Sequence, residues 1–161
     1  MIFMIEAIEI IDLTDVLYSG LILIFLIIQG YIDIKKKEIS IRLCFAAAVV
    51  FFTLRIGLIL FYTRNKEEIS FLTGLLPGVG MLLLSFITRG KIGFGDGLVI
   101  IVMGILMPVK RIIYIILTAL FLVSVIGWAM IILGKIKRNK EIPFVPEILI
   151  STVFWIIEGV M

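Results

Sequence analysis

Long uncharged apolar runs, separated by short charged segments, make up most of the chain from residue 16 onward. A membrane-spanning helix needs about 20 mostly apolar residues, and the pattern predicts six of them. The predicted spans are residues 16–32, 41–63, 69–88, 94–109, 112–134 and 146–161. The fourth run is short and follows a glycine-rich segment. We therefore expect an all-α integral membrane protein, a six-transmembrane-helix bundle with a short glycine-broken fourth helix, in one domain over residues 1–161.

The segment before the first run, residues 1–15, has a different pattern. Glu6, Glu9, Asp12 and Asp15 recur at every third position among apolar side chains. This spacing is typical of an amphipathic helix with one acidic face. We expect the segment to lie on the outer membrane surface with its acids in water; an acidic site for basic substrates is the alternative.

Composition excludes several classes of protein. The chain is 62% hydrophobic and 17% charged, whereas a soluble domain has about 25% charged residues. It has no histidine, which excludes the Ser-His-Asp triad, the Cys-His pair and the HExxH zinc site. Cys44 is the only cysteine, so neither a CxxC site nor an intramolecular disulfide can form. Any catalysis must use carboxylates, lysine, hydroxyl groups or this single thiol.

Basic residues are distributed unevenly between the two sets of loops. The loops after spans one, three and five hold ten of the 15, whereas the other side has four, and Arg55 lies within span two, where it can snorkel. The positive-inside rule then places the odd-numbered loops in the cytoplasm and the N-terminus outside the cell membrane. Because the basic residues flank apolar runs, the net charge of +3 indicates membrane topology and no nucleic-acid partner. The ten are Lys35, Lys36, Lys37, Arg42, Arg89, Lys91, Lys135, Lys137, Arg138 and Lys140; the four are Arg64, Lys66, Lys110 and Arg111.

Two aspartates are predicted at membrane depth, where ionisable groups are costly and usually functional. Asp33 ends the first span, and Asp96 lies in the glycine-rich segment 90–97. The uncharged residues 97–109 would rise only about 20 Å as a helix, too little to cross a bilayer alone. The glycine segment must therefore enter the membrane and carry Asp96 with it. Two crossings separate the aspartates, so both are expected on the cytoplasmic side.

A pair of carboxyl groups facing one water molecule cannot easily ionise together. One remains protonated, and the pair can serve as general acid and general base on an amide bond. This chemistry requires no metal and no organic cofactor. The alternative for Asp33 is an interfacial acid paired with a neighbouring lysine.

Three sequence elements carry a resemblance to a known family. They are Asp33 followed by a basic run and Ile39, then Gly93-Phe94-Gly95-Asp96, then Ile142-Pro143-Phe144-Val145-Pro146. In this order they resemble the type IV prepilin peptidases and preflagellin peptidases, which are GxGD intramembrane aspartyl proteases. Two positions depart from the family pattern: Ser40 stands where the family has proline, and Leu98 where it often has lysine.

The resemblance implies a function and a site. It implies cleavage of the basic leader from prepilin-like membrane proteins, at the cytoplasmic membrane boundary, from substrates in which a hydrophobic helix follows the leader. N-methylation is not expected, because the four-cysteine zinc site of the family's methyltransferase domain cannot form. The resemblance assigns catalysis to Asp33 and Asp96 and an active-site loop to Gly93, Phe94, Gly95 and Gly97. It makes candidates for substrate orientation of Lys35, Lys36, Lys37, Pro143, Phe144 and Pro146.

Two other functions remain open at this point. An ion channel or proton-coupled transporter also uses membrane aspartates and a glycine-broken helix. A catalytically silent family member acting as an assembly scaffold would fit the departures at Ser40 and Leu98. Ser40 beside the lysines also admits a Ser-Lys hydrolase. Glu147 is interpreted as a helix-start acid that complements the helix dipole.

Overall fold

The computed structural model describes the backbone of residues 2–62, 68–88, 93–134 and 143–160, with side chains for 14–60, 72–88, 93–134 and 143–158. These residues form six α-helices and no strand, so the predicted all-α class is confirmed. Several predicted features lie outside the described residues, among them most of the basic loop residues and Ile142. The helices are α1 (Ile2–Lys36), α2 (Ile41–Tyr62), α3 (Glu68–Ile87), α4 (Phe94–Leu106), α5 (Val109–Ile132) and α6 (Val145–Val160).

Three helices are long and apolar enough to cross a membrane. Within the described residues these stretches are Thr14–Lys36, Ile41–Leu60 and Val109–Ile132, while Leu72–Ile87 and Phe94–Leu106 are apolar but shorter. The chain is therefore a membrane protein by the length and composition of its helices. The crossing of all six helices stays a prediction.

The first helix is longer than the sequence pattern suggests. α1 runs for 35 residues without a break at Asp15 or Val16, so residues 2–15 continue the same helix as the first predicted span. The side chains of Glu6, Glu9 and Asp12 lie outside the described set. The placement of this segment on the outer membrane surface stays a prediction.

α4 lies at the centre of the helix assembly. It packs against α2, α3 and α5, and eight of its 13 residues are buried. Gly93 precedes it with non-helical backbone angles (φ −59°, ψ 115°), and Met107 follows it in an extended conformation. The central position of α4 means that a residue in its first turn is surrounded by protein on several sides.

Glycines bring α3 and α4 into backbone contact. A Cβ atom at Gly74 would overlap the carbonyl oxygens of Gly104 and Met107, and one at Gly78 would lie 2.6 Å from the Ile101 nitrogen. Gly74 and Gly78 are four residues apart and therefore share one helix face. Small residues at this spacing let two membrane helices approach closely.

α1 and α6 pack antiparallel and are joined at both ends. At one end, the backbone N–H of Val145 donates a hydrogen bond to Asp33. At the other, the Arg111 guanidinium of α5 binds Asp15 at 3.0 Å and lies 4.7 Å from the centroid of the Trp155 ring. The last turn of α1 is therefore fixed against the first turn of α6.

Arg55 is buried against an aromatic ring. The sequence pattern allows its side chain to snorkel from span two to the membrane surface, and that placement stays a prediction. In the structure Arg55 is only 8% exposed, and its guanidinium lies 5.4 Å from the centroid of the Tyr18 ring. The Arg55 side chain of α2 therefore packs against α1. An aromatic face partly compensates a cation for its lost hydration.

Candidate active site

Asp33 is buried and held by the backbone of another helix. It lies in the last turn of α1 and is only 6% exposed. Its Oδ2 accepts a hydrogen bond from the Val145 N–H at 3.2 Å, and the Phe144 amide also interacts with this carboxylate. The first N–H groups of a helix have no partner within the helix and favour negative charge. The Pro143–Pro146 element therefore lies beside Asp33 and contacts it through main-chain atoms.

α1 ends within the lysine run that follows Asp33. Lys37 adopts a left-handed conformation (φ 53°), and its N–H donates to the Asp33 carbonyl oxygen at 2.8 Å. This is the αL helix cap, which glycine usually occupies; a lysine there costs roughly 1–2 kcal/mol. Lys35, Lys36 and Lys37 are all exposed. The lysines thus end α1, and their predicted contact with substrate is untested.

Ser40, where the family has proline, caps the next helix. Its Oγ accepts a hydrogen bond from the Leu43 N–H at 3.4 Å, and its carbonyl oxygen accepts one from the Cys44 N–H at 3.0 Å. Serine is a favoured N-cap residue, because its side chain satisfies an otherwise unpaired N–H group. The helix start that a proline would favour is therefore supplied here by a hydroxyl group.

Asp96 lies in the first turn of α4, three residues after Gly93. Its carboxylate folds back over Gly93, so that a Cβ atom at Gly93 would collide with Oδ2. Asp96 is half-buried. The first glycine of Gly93-Phe94-Gly95-Asp96 thus provides the space that the carboxylate occupies.

The other two glycines of this loop have different neighbours. A Cβ atom at Gly95 would lie 2.6 Å from the Ile39 Cβ, and one at Gly97 would lie 2.7 Å from the Leu82 Cδ2. Ile39 belongs to the element that begins at Asp33, so this contact joins the first two motifs. Phe94, between the glycines, is exposed.

The elements that carry Asp33 and Asp96 lie side by side. The two residues are 63 positions apart in the sequence, and the contact between Gly95 and Ile39 brings their surroundings together. Asp33 is held by the Val145 N–H of α6, and the Asp96 carboxylate lies over Gly93. A pair of carboxyl groups can supply both a proton acceptor and a proton donor.

A third acid lies at the site and was not assigned to it from the sequence. Glu147 is in the first turn of α6, as its interpretation as a helix-start acid requires. It is also buried and lies two residues after Val145, whose N–H binds Asp33. The sequence offered one indication of this position, because Glu147 directly follows Pro146, the last residue of the third sequence element.

Two other residues considered in the sequence analysis lie in or against the apolar core. Cys44 is buried in the apolar core, and Leu98 packs against the same core. Among the described residues, no group of three or more acids and cysteines has the arrangement of a metal site.

Comparison with known proteins identifies the family. The sequence model of the type IV leader peptidase family matches residues 20–132, which is more than half of the chain and includes both Asp33 and Asp96. No curated protein matches the chain, and no solved structure matches it. The chain belongs to the type IV leader peptidase family, a family of proteases.

Proposed function

We propose that the chain is an intramembrane aspartyl endopeptidase in which Asp33 and Asp96 are the catalytic residues. Its substrates are prepilin-like membrane proteins with a basic leader followed by a hydrophobic helix. The leader is removed at the cytoplasmic boundary of the cell membrane. The family match supports leader peptidase activity, and the residues of the site support the aspartyl mechanism.

The contact between Ile39, six residues after Asp33, and Gly95, directly before Asp96, is the observation that carries this proposal, because it brings the two aspartate-bearing elements together. Peptide hydrolysis needs one group that accepts a proton from water and another that gives a proton to the leaving nitrogen. The chain has no histidine for either task. A carboxyl pair that shares one proton supplies both.

The chemical step follows from this pair. The ionised carboxylate accepts a proton as water adds to the scissile carbonyl carbon, which gives a tetrahedral intermediate. The protonated carboxyl group then gives its proton to the amide nitrogen, the C–N bond breaks, and a carboxylic acid and an amine leave. The amides of Phe144 and Val145 keep Asp33 in place during both transfers.

The membrane arrangement belongs to the same proposal. All six helices cross the bilayer, the glycine segment before α4 enters it, and the ends of α1 and α4 that carry the aspartates face the cytoplasm. The exposed lysines 35–37 and the 143–146 segment orient the leader. The ten-to-four distribution of basic residues supports this orientation.

Aspartate-to-asparagine variants test the mechanism. Asp33→Asn and Asp96→Asn should each lower the cleavage rate of a prepilin-type substrate by at least about 100-fold, because an amide is nearly isosteric but cannot exchange the proton. The double variant should be no slower than either single variant, since the two groups act as a unit. Initial rates are measured in detergent at matched expression.

Asp15→Asn is the matched control, because it makes the same change in α1 at the Arg111 contact, far from Asp33. It should cleave at close to the normal rate. Near-normal cleavage by either active-site variant would contradict the proposed mechanism. Cation flux that depends on Asp96 would then favour a transporter, and its absence would favour a scaffold.

A further inference from the structure

A row of buried polar side chains follows Asp33 on α1 and Glu147 on α6, two helices that pack against each other. Gln29 lies one turn before Asp33 on α1, and Ser151 lies one turn after Glu147 on α6. The exposed fractions are 0% for Gln29, 6% for Glu147 and 1% for Ser151. Residues four apart share a helix face, so each helix presents two polar groups on the face that carries Asp33 or Glu147.

Four atoms of this row have no hydrogen-bond partner among the described residues. They are the amide nitrogen and oxygen of Gln29, Oε2 of Glu147 and Oγ of Ser151. The neighbouring Thr152, equally buried, instead donates its hydroxyl to the Ile148 carbonyl oxygen at 2.8 Å. Buried polar atoms in proteins are nearly always hydrogen-bonded. The unpaired polar atoms of this row could therefore bind a small polar ligand.

The packing of the helices places these groups at a similar depth. α1 and α6 are antiparallel, with Asp33 against Val145 at one end and Arg111 joining Asp15 and Trp155 at the other. Gln29 lies about 6 Å along α1 from Asp33, and Ser151 about 9 Å along α6 from Val145, at 1.5 Å per residue. Both distances run in the same direction, away from the end where the two helices meet Asp33.

The mixture of groups identifies the ligand. The Gln29 amide and the Ser151 hydroxyl each donate and accept hydrogen bonds, whereas an ionised Glu147 only accepts. A ligand that satisfies all of them must also both donate and accept. Buried water does this, usually with about three hydrogen bonds to otherwise unpaired groups.

We propose that Gln29, Glu147 and Ser151 bind water between α1 and α6 and supply the water molecule that attacks the scissile bond at Asp33. The inference rests on the proposed function, because only a hydrolase consumes this water. The surrounding helices are apolar, and Asp33 is only 6% exposed. A stored water beside the carboxylate removes the need to draw one from the membrane interior at each turnover.

Apolar substitutions in the row test the proposal. Ser151→Ala and Gln29→Leu should each lower kcat about tenfold, the effect of one lost hydrogen bond to the reacting water. KM should not change, because neither side chain is proposed to contact the leader. Thr152→Val is the matched control: it removes an equally buried hydroxyl that is already bonded within its own helix, and its kcat should be normal.

A second measurement detects the water without using activity. A short X-ray pulse on the substrate-free protein in oxygen-free ¹⁸O water generates hydroxyl radicals from bound water. One radical removes a hydrogen atom from an adjacent side chain and leaves as water, and a second combines with the carbon radical to give an ¹⁸O-labelled alcohol. Ile148, fully buried between Glu147 and Ser151, should acquire ¹⁸O in the wild type. The label should be lost in the Ser151→Ala, Gln29→Leu double variant.

The outcomes separate this inference from the proposed function. Unchanged kcat in Ser151→Ala and Gln29→Leu, with Asp33→Asn inactive, would overturn the water site alone. An equal loss of kcat in Thr152→Val would also overturn it, because packing would then explain all three variants. Active Asp33→Asn would instead overturn the peptidase mechanism itself.

Discussion

At the scale of single residues, the glycines of the Asp96 loop perform separate tasks. Gly93 leaves room for the Asp96 carboxylate, and Gly95 leaves room for Ile39, six residues after Asp33. The second contact connects the two aspartate-bearing elements through one apolar side chain. A substitution at either glycine would therefore displace a catalytic candidate while leaving the aspartate itself unsubstituted.

Gly93→Ala tests this interpretation. The added methyl group collides with Oδ2 of Asp96 and should displace the carboxylate, so we expect cleavage to fall at least about tenfold, since small misplacements of reacting groups reduce rates strongly. Initial rates and helix content by circular dichroism are measured together. Gly20→Ala is the control, because a Cβ atom at Gly20 meets nothing within 4 Å. Equal rates for the two variants would show that the space at Gly93 is not needed.

The sequence predicted some residues of the site and not others, for a physical reason. Asp33, Asp96 and the glycines could be chosen because charge and glycine are unusual in apolar runs. Glu147 and Gln29 could not, because their importance comes from burial against another helix. Gln29 has no distinguishing neighbours in the sequence, and its burial becomes visible only in the folded structure.

At the scale of helices, the sequence pattern indicates where a helix begins more reliably than whether two neighbouring segments form one continuous helix. α2 begins directly after the Ser40 cap, and α5 begins directly after Pro108. Residues 1–15 were separated from the first span because of their acids, yet α1 continues through them. A pattern of charged residues indicates which face of a helix is exposed to water, but it does not indicate where the helix ends. The close approach of α3 and α4 was equally invisible, because it depends on which glycines face each other.

A pair of alanine substitutions in α3 tests that close approach. Gly78→Ala should destabilise the protein by about 1–3 kcal/mol, as expected of overpacking, because the new methyl group meets the Ile101 backbone. Gly80→Ala should stabilise it by up to about 1 kcal/mol, because its Cβ atom enters open space and alanine favours helix. Thermal unfolding in detergent measures both. The prediction fails if the two variants shift in the same direction.

At the scale of the whole molecule, the match over residues 20–132 identifies a leader peptidase family, while orientation still depends on the basic residues. The structure shows that Arg111, one of the residues opposing the rule, is bound to Asp15 and Trp155. This contact explains why a basic residue lies at position 111, on the side of the membrane that is predicted to carry fewer basic residues.

Accessibility labelling tests the orientation. In a Cys44→Ser background, the thiol introduced by Lys36→Cys should react only with reagents that reach the cytoplasm, because lysines 35–37 are predicted to be cytoplasmic. A reporter fused after Met161 should be active only outside. Labelling of position 36 exclusively from outside would reverse the topology and move the proposed cleavage site to the other face.

The bond between the Val145 N–H and Asp33 also orders the events of biosynthesis. A chain emerges from the ribosome N-terminus first, so both aspartates are made well before the helix that binds the first of them. Until α6 has been made and has docked, Asp33 lacks its backbone donors, and Glu147 and Ser151 are not in place. In the proposed mechanism, proteolytic competence is therefore acquired only once α6 has docked, and a chain released before that step would not cut its neighbours.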